Sequence, residues 1–249
     1  MLTQLVSSDF QDQLIRGLAH RMNNILSVFH GYLGLLMDER KLDPALKEAL
    51  TRIRGSAADA SELIERINAI GRPASWRLRD LPLSDFFRQI RPSIEPLRRP
   101  EIELTIECPD GLPHVRIDVS RMKLAVLELV QNAIEAAASR VLIRVGINEK
   151  LRQAELFPSD HRAPAEQWLR IEVIDDGPGV PSSVARRIFD PFFSTRKKHL
   201  TAGLGLPVAL GCIQQSGGTL QLRDGDGDGE TTFEIALLAQ TPQELSAVA

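Results

Sequence analysis

The sequence predicts an α+β protein. An N-terminal helical hairpin should pair with a second copy into a four-helix bundle, and an α/β sandwich with helices on one face of a mixed sheet should follow. Three observations carry this. The first ~70 residues place apolar side chains at three- and four-residue steps, the period of an amphipathic helix. The stretch AIGRPASWRLRDLP, with Gly71, Pro73 and Pro82, then breaks the pattern. Beyond it, short alternating or β-branched runs interleave with helical ones.

In the first helix, Leu14, Leu18, Met22, Ile25, Phe29, Tyr32 and Leu36 make the stripe of one buried face. The break at DERKLDP offers Asp43 as a cap and Pro44 as a first-turn residue for the next helix. That helix carries Leu46, Leu50, Ile53, Ala57, Ala60, Ile64 and Ile67 in a heptad, which favours near-parallel partners. A lone hairpin cannot enclose both stripes, so a homodimer is expected. The resulting division is 1–72 helical hairpin, 73–82 linker, 83–240 second domain and 241–249 tail. In the second domain IELTIEC, HVRID, RVLIRVGIN, WLRIEVID, GTLQLRD and TTFEIALL read as strands. Ser84–Leu97, Ser120–Ala138 and Leu206–Gln215 read as helices. The polar run EKLRQAELFPSDHRAPAEQ reads as a long, mobile hairpin loop between two strands.

Composition narrows the function classes. A chain of 249 residues with a formal net charge of -3 gives no electrostatic case for nucleic-acid binding. No apolar run approaches the ~20 residues of a membrane span. MLTQLVSSDF lacks a basic stretch followed by an apolar core, so it is not a secretory signal, and the cytoplasm is the simplest compartment. Cys108 and Cys212 lack metal or redox spacing and read as reduced packing residues. DGDGDG, from Asp224 to Gly229, matches the first half of a calcium loop, but Ile235 occupies the position of the bidentate acid. A Gly- and Asp-rich turn between strands is the better reading.

The stretch GLAHRMNNIL holds the first chemical candidate. At about 100° per residue, His20 lies ~200° from Leu18 and ~140° from Ile25, away from the apolar stripe. Asn23 and Asn24 share its face. Geometry on this helix leaves a solvated histidine and a reactive one equally open. The other histidines read as structural or solvated, with no metal-ligand partner at usable spacing.

Four stretches in the second domain point to a nucleotide. LAVLELVQNAIEAA sets Glu128 and Asn132 one turn apart, and an amide oxygen suits Mg²⁺ without neutralising phosphates. In VIDDGPGVP a strand ends on Asp175, whose carboxylate can accept a hydrogen bond from the adenine amino group, and Gly177 and Gly179 allow a close backbone approach. IFDPFFSTRKK is aromatic, then basic, with Arg196, Lys197 and Lys198 as cationic contacts. In TAGLGLPVALGCIQQSGG, Gly203 and Gly205 open a helix whose N-terminus suits a phosphate. Each is common singly; together, in this order, they are specific.

These stretches, with AHRMNN, resemble the catalytic core of two-component sensor histidine kinases across about residues 10 to 240. AHRMNN is similar to the H box, ELVQNAIEAA to the N box, DDGPG to the G1 box, FDPFFSTR to the F box and GLGL to the G2 box. GETTFEI is similar to the last glycine-containing strand motif. The resemblance implies a dimeric hairpin and a Bergerat-type ATP-binding domain. It also implies ATP as substrate, with Mg²⁺, and a response regulator receiver domain as the partner that takes the phosphoryl group on an aspartate. It makes His20 the phosphoacceptor, Asn132 the magnesium ligand and Asp175 the adenine reader. Asp176, Gly177, Gly179, Arg196, Lys197, Gly203, Leu204, Gly205, Leu206 and Thr231 become nucleotide-site residues. Asp176 stands where asparagine is frequent. Glu128 stands where related ATPases activate water; here shaping the magnesium site is the preferred role.

Three departures qualify the resemblance. Arg21 replaces the acid that often follows the phosphoacceptor, although one branch shows H-R-x-x-N, which His20, Arg21 and Asn24 fit. Asn24 could there position a water for dephosphorylating the regulator. Thr201 and Ala202 replace a glycine before GLGL, so a stiffer lid and slower nucleotide exchange are expected. Only about ten residues precede the hairpin, so the signal is expected to come from a separate sensory partner unless the chain is part of a longer one. The competing readings are a phosphotransfer or phosphatase scaffold with a vestigial or regulatory ATP site, and a chaperone- or topoisomerase-like ATPase using Glu128.

Overall fold

The computed structural model describes residues 2–38, 42–70, 77–148, 167–195, 202–224 and 230–240; residues 2–16, His20 and Asp224 are described through their backbone alone. Two units emerge, one of residues 1–73 with 190–204, the other of residues 74–189 with 205–249.

The first unit holds α1 (Leu2–Met37) and α2 (Pro44–Ile70), which pack on each other. Asp43 opens α2, its carbonyl accepting from Lys47 N at 2.9 Å. In the single chain the apolar stripe of α1 stays open, as expected of a hairpin that cannot enclose it alone. Leu18, Met22, Ile25, Phe29, Tyr32 and Leu36 are 46% to 66% exposed, while Ala19 and Leu33 of α1 are buried, as are Leu50, Ala57 and Ile64 of α2. Helix α1 therefore carries two apolar seams, and the hairpin uses the one with the smaller side chains, which permits close helix approach. His30 lies half-buried with Nε2 3.4 Å from Ser61 Oγ, itself a donor to the Ala57 carbonyl.

The second unit is a mixed sheet with helices on one face. Its five strands run in the order β2 (Glu103–Glu107), β4 (Arg140–Ile147), β5 (Trp168–Asp175), β7 (Thr231–Leu238), β6 (Thr219–Asp224). Only the β2–β4 pair is parallel. Alternation along each strand sends Val141, Ile143, Leu169, Ile171, Val173, Phe233 and Ile235 into the core. Helices α3 (Leu83–Ile94), α4 (Val119–Ala136) and α6 (Gly205–Gln215) complete that core. On the other face Glu172 stands in register with Glu234, and the pair of like charges is offset by Arg170 and by Arg223, whose Nη2 donates to Glu234 Oε1 at 2.8 Å.

Two details differ from the sequence reading. Leu78–Pro82, inside the stretch read as linker, is a strand, β1, antiparallel to β3 (His114–Asp118). HVRID thus belongs to a separate two-stranded sheet. The signal was masked because a five-residue edge strand ending in proline looks like punctuation, yet Pro82 at its end interrupts no ladder. A short helix, α5 (Ser182–Ala185), follows Pro181 and has no periodic signature. The loop read over EKLRQAELFPSDHRAPAEQ, all but its last residue, and the linker residues Gly71 and Pro73 lie outside the described residues, as does most of DGDGDG. Among the described residues, no helix is long and apolar enough to cross a membrane.

Candidate nucleotide site

Helix α4 begins where Asp118 caps it, its carboxylate accepting from Ser120 N at 3.1 Å and Arg121 N at 3.2 Å. The same side chain accepts from Arg77 N, so one carboxylate ties the helix start to the segment before β1. Met122, Ala125, Val126, Leu129, Val130, Ala133 and Ile134 bury one face of α4. Glu128 and Asn132 are left half-exposed on the other, one turn apart.

Strand β5 delivers Asp175 to the edge of this helix. Asp175 is only 1% exposed, and its register partner on β7 is Thr231, also buried. Gly177 N donates to Asp175 Oδ1 at 3.0 Å, which orients the carboxylate. A Cβ at Gly177 would stand 2.5 Å from the Ala136 carbonyl oxygen and 2.6 Å from Asp175 Oδ1. That glycine is therefore required by the turn packing on the end of α4, a reason different from the close ligand approach read in the sequence. Gly179, at φ 78°, takes the left-handed conformation the turn needs.

Asp176 is held by the turn that follows α4. Its Oδ1 accepts from the amides of Ala138 (2.9 Å), Ser139 (3.0 Å) and Arg140 (3.0 Å), and its Oδ2 from the Ser139 hydroxyl (2.5 Å). It staples the α4–β4 turn to the end of β5, a structural role that the sequence did not reveal. Desolvation alone would raise its pKa; the bonds from Ser139, Arg140 and Ala138 outweigh that and hold the carboxyl well below the usual range. Asp176→Ala should lower stability by about 1–2 kcal/mol, a modest figure because water can reach the freed amides. Asp176→Asn should keep most of it, since an amide oxygen can take the three N–H groups and its NH₂ can face Ser139. A depressed pKa contributes stability that is complete above the unfolded value and drains as pH falls. Urea midpoints of wild type and Asp176→Ala should therefore converge below about pH 4.

Helix α6 opens at Gly205, and Glu128 of α4 lies against it: a Cβ at Gly205 would be 2.8 Å from Glu128 Oε2. Leu206 is half-buried in the first turn. Cys212 lies fully buried further along α6, its thiol pushed up to about 11, mainly by burial, with Arg121 opposing and Glu128 adding to the rise. Both cysteines are free thiols, matching the packing role read from the sequence.

The second unit thus brings together Glu128, Asn132, Asp175, Gly177, Gly179 and Thr231, with Gly205 and Leu206 at the start of α6 beside Glu128. Gly203 (φ 78°) and the buried Leu204 fall in the 190–204 segment of the first unit, where Gly203 O accepts from Phe192 N at 2.9 Å. Arg196 and Lys197 lie outside the described residues. His20 belongs to α1 by its backbone, and Asn24, one turn on, is exposed. The sequence reading missed Asp118 and Ser139. An acid just before a helix was a visible cap signal for Asp118; Ser139 had none, because its partner is 37 positions away.

Among the described residues, no group of three or more His, Cys, Asp or Glu side chains is placed to hold a metal. Two oxygen donors one turn apart on α4, Asn132 and Glu128, do suit Mg²⁺, which keeps waters and phosphate oxygens as its other ligands.

Comparison with known proteins bears on both units. Residues 117–241 match the family described as histidine kinase-, DNA gyrase B-, and HSP90-like ATPase, and residues 10–75 match the His Kinase A (phospho-acceptor) domain. The chain is 31% identical over 228 residues to the sensor kinase CckA of Brucella abortus, covering 90% of this chain and 24% of that protein. It is 27% identical over 242 residues to the sensory histidine kinase/phosphatase NtrB of Vibrio alginolyticus, covering 95% and 66%. The fold is similar to that of full-length ShkA in complex with AMPPNP, with a TM-score of 0.72 at 21% identity over 92% of this chain and 46% of that one. The chain spans less than two thirds of each of these relatives.

Proposed function

The chain belongs to the histidine kinases, with a phosphoacceptor domain followed by an ATPase domain of the gyrase B and HSP90 type, and we propose that it is an ATP-dependent protein-histidine kinase of a two-component system. The observation that carries this is the pairing in one chain of an α1 histidine, His20, with the cluster of Asn132, Asp175, Gly177 and Thr231 in the second unit. In the reaction an imidazole nitrogen of His20 attacks the γ-phosphorus, the bond to the β–γ bridging oxygen breaks, and ADP leaves. The phosphoryl group then passes to an aspartate of a receiver domain. Asp175 holds the adenine by its exocyclic amino group, its orientation fixed by Gly177 N. Bound Mg²⁺, held by Asn132 with Glu128 beside it, would neutralise charge on the triphosphate. Phosphoryl transfer requires mostly such positioning and charge balance.

Asn24, exposed one turn past His20, suits a water-positioning role against a phosphorylated aspartate, so regulator phosphatase activity is part of the proposal. The NtrB relative bears both activities in its name. The exposed seam of α1 supports a homodimer, and the proposed location is the cytoplasm, where receiver domains and ATP are available. The test is incubation with γ-labelled ATP and magnesium. The protein should take up a label that is acid-labile and alkali-stable, as a phosphoramidate is. Nucleotide binding without any such label would instead favour a scaffold with a regulatory ATP site.

A further inference from the structure

Strand β3 meets the end of β7 through a single bridge, Val115 with Ala239, beside the bond from Gln240 N to the His114 carbonyl at 2.8 Å. Strand β6 pairs no further than Ala236, so Leu237 and Leu238 run on past it. The turn that ends α6 fills part of that space. Gly217, at φ 72°, closes it, and Gly218 N donates to the Ile213 carbonyl at 3.0 Å. A Cβ at Gly218 would stand 2.8 Å from the Ala236 carbonyl oxygen, so this turn is seated directly on β7. Bordered by the turn, β3 and β7 is a cavity of about 310 Å³, with Leu78, Leu237 and Leu238 among its apolar walls and Arg116 and Gln240 among its polar ones. The start of α6 at Gly205, beside the nucleotide cluster, is about 15 Å away along the helix.

Arg116 stands opposite Asp80 in the β1–β3 register, a position where opposite charges ordinarily pair. These two do not. Asp80 Oδ1 is buried without a hydrogen-bond partner, and among the described residues Arg116 forms no ion pair and borders the cavity instead. Among the described residues, no Asp or Glu lines that cavity. A guanidinium without a carboxylate of its own, next to apolar walls, matches a carboxylate carried on an apolar body, because its planar fork takes both carboxylate oxygens. A phosphate dianion would leave one charge unmatched. We propose that this cavity is a second ligand site, independent of the nucleotide reading, for a small molecule with a carboxylate at one end of an apolar body. Arg116 selects the carboxylate. Asp80, across the strand from it, opposes the anion and sets the affinity low.

The experiment is a titration of the full chain, followed by saturation-transfer difference NMR, with phenylbutyrate and with the neutral phenylbutanol. Wild type should bind the acid about fivefold or more tighter than the alcohol. Arg116→Gln should bring the two within about twofold of each other. Asp80→Asn should tighten the acid by about twofold or more and leave the alcohol unchanged. Leu78→Gln, at a side chain 42% exposed and so tolerant of change, should weaken both alike. Titration with a non-hydrolysable ATP analogue in magnesium should leave the phenylbutyrate signal in place. No binding of the acid, equal binding of acid and alcohol by wild type, or a preference for the acid that survives Arg116→Gln would overturn the proposal. Displacement of phenylbutyrate by the nucleotide would overturn it too, by putting the ligand in the other site.

Discussion

Replacing His20 by alanine is expected to take the acid-labile label to background while nucleotide affinity stays within about twofold of wild type. The separation follows from the architecture. The residues proposed to hold ATP, Asn132, Asp175, Gly177 and Thr231, all lie in the second unit, whereas His20 lies on α1 of the first. Removing the acceptor thus leaves the donor's site intact. The effect on labelling should be complete, since alanine has no nucleophile. His30 cannot stand in: it is half-buried, with Nε2 against Ser61 Oγ. Asn24→Ala provides the counterpart. It should keep the label and slow dephosphorylation of a receiver domain by about tenfold or more, the scale at which a positioned proton-transfer or water-orienting group contributes. Measurement is by labelled ATP for the first step and by release of phosphate from phosphorylated regulator for the second. Label retained in His20→Ala would reject His20 as acceptor.

What could be read from the sequence depended on how local the cause was. The apolar face of α4 and the polar pair Glu128 and Asn132 follow from one helical period, and the structure keeps both. The alternation of β5 and the aspartate at its end were equally legible, because a strand's side chains alternate regardless of what it pairs with. Causes lying across the fold were not. The turn contacts of Asp176 were hidden, because its partners Ala138, Ser139 and Arg140 are adjacent only once α4 and β5 have packed. The packing reason for Gly177 was hidden as well, since the Ala136 carbonyl that excludes a side chain there is 41 positions earlier in the chain. Strand β1 was hidden by its own brevity and by Pro82. On α1 the period was right, and the stripe it marks stays open in the single chain. Periodicity says that a face is apolar; it does not say which of two adjacent faces the neighbouring helix will take.

That second face sets the other large expected effect. Leu18, Met22, Ile25, Val28, Phe29, Tyr32, Leu35 and Leu36 stay 46% to 71% exposed on a single helix, and Leu46 and Ile53 add to them from α2. A contiguous apolar seam of this length is unusual on the surface of a monomer. Burial of what remains exposed is worth roughly 1 kcal/mol for each large side chain, enough in sum to drive association after its entropy is met. Ile25→Glu with Phe29→Glu places two carboxylates per protomer in the middle of the seam, and a two-fold interface doubles them. Each would be desolvated without a partner, so the dimer dissociation constant should rise on the order of a thousandfold, giving a monomer at micromolar protein. The hairpin itself should survive, because Ile25 and Phe29 are more than half exposed and Ala19, Leu33, Leu50, Ala57 and Ile64 supply its packing. Sedimentation equilibrium would read the mass, and the nucleotide titration should be unchanged. A variant that still sediments as a dimer would mean that the exposed seam of α1 serves some purpose other than self-association.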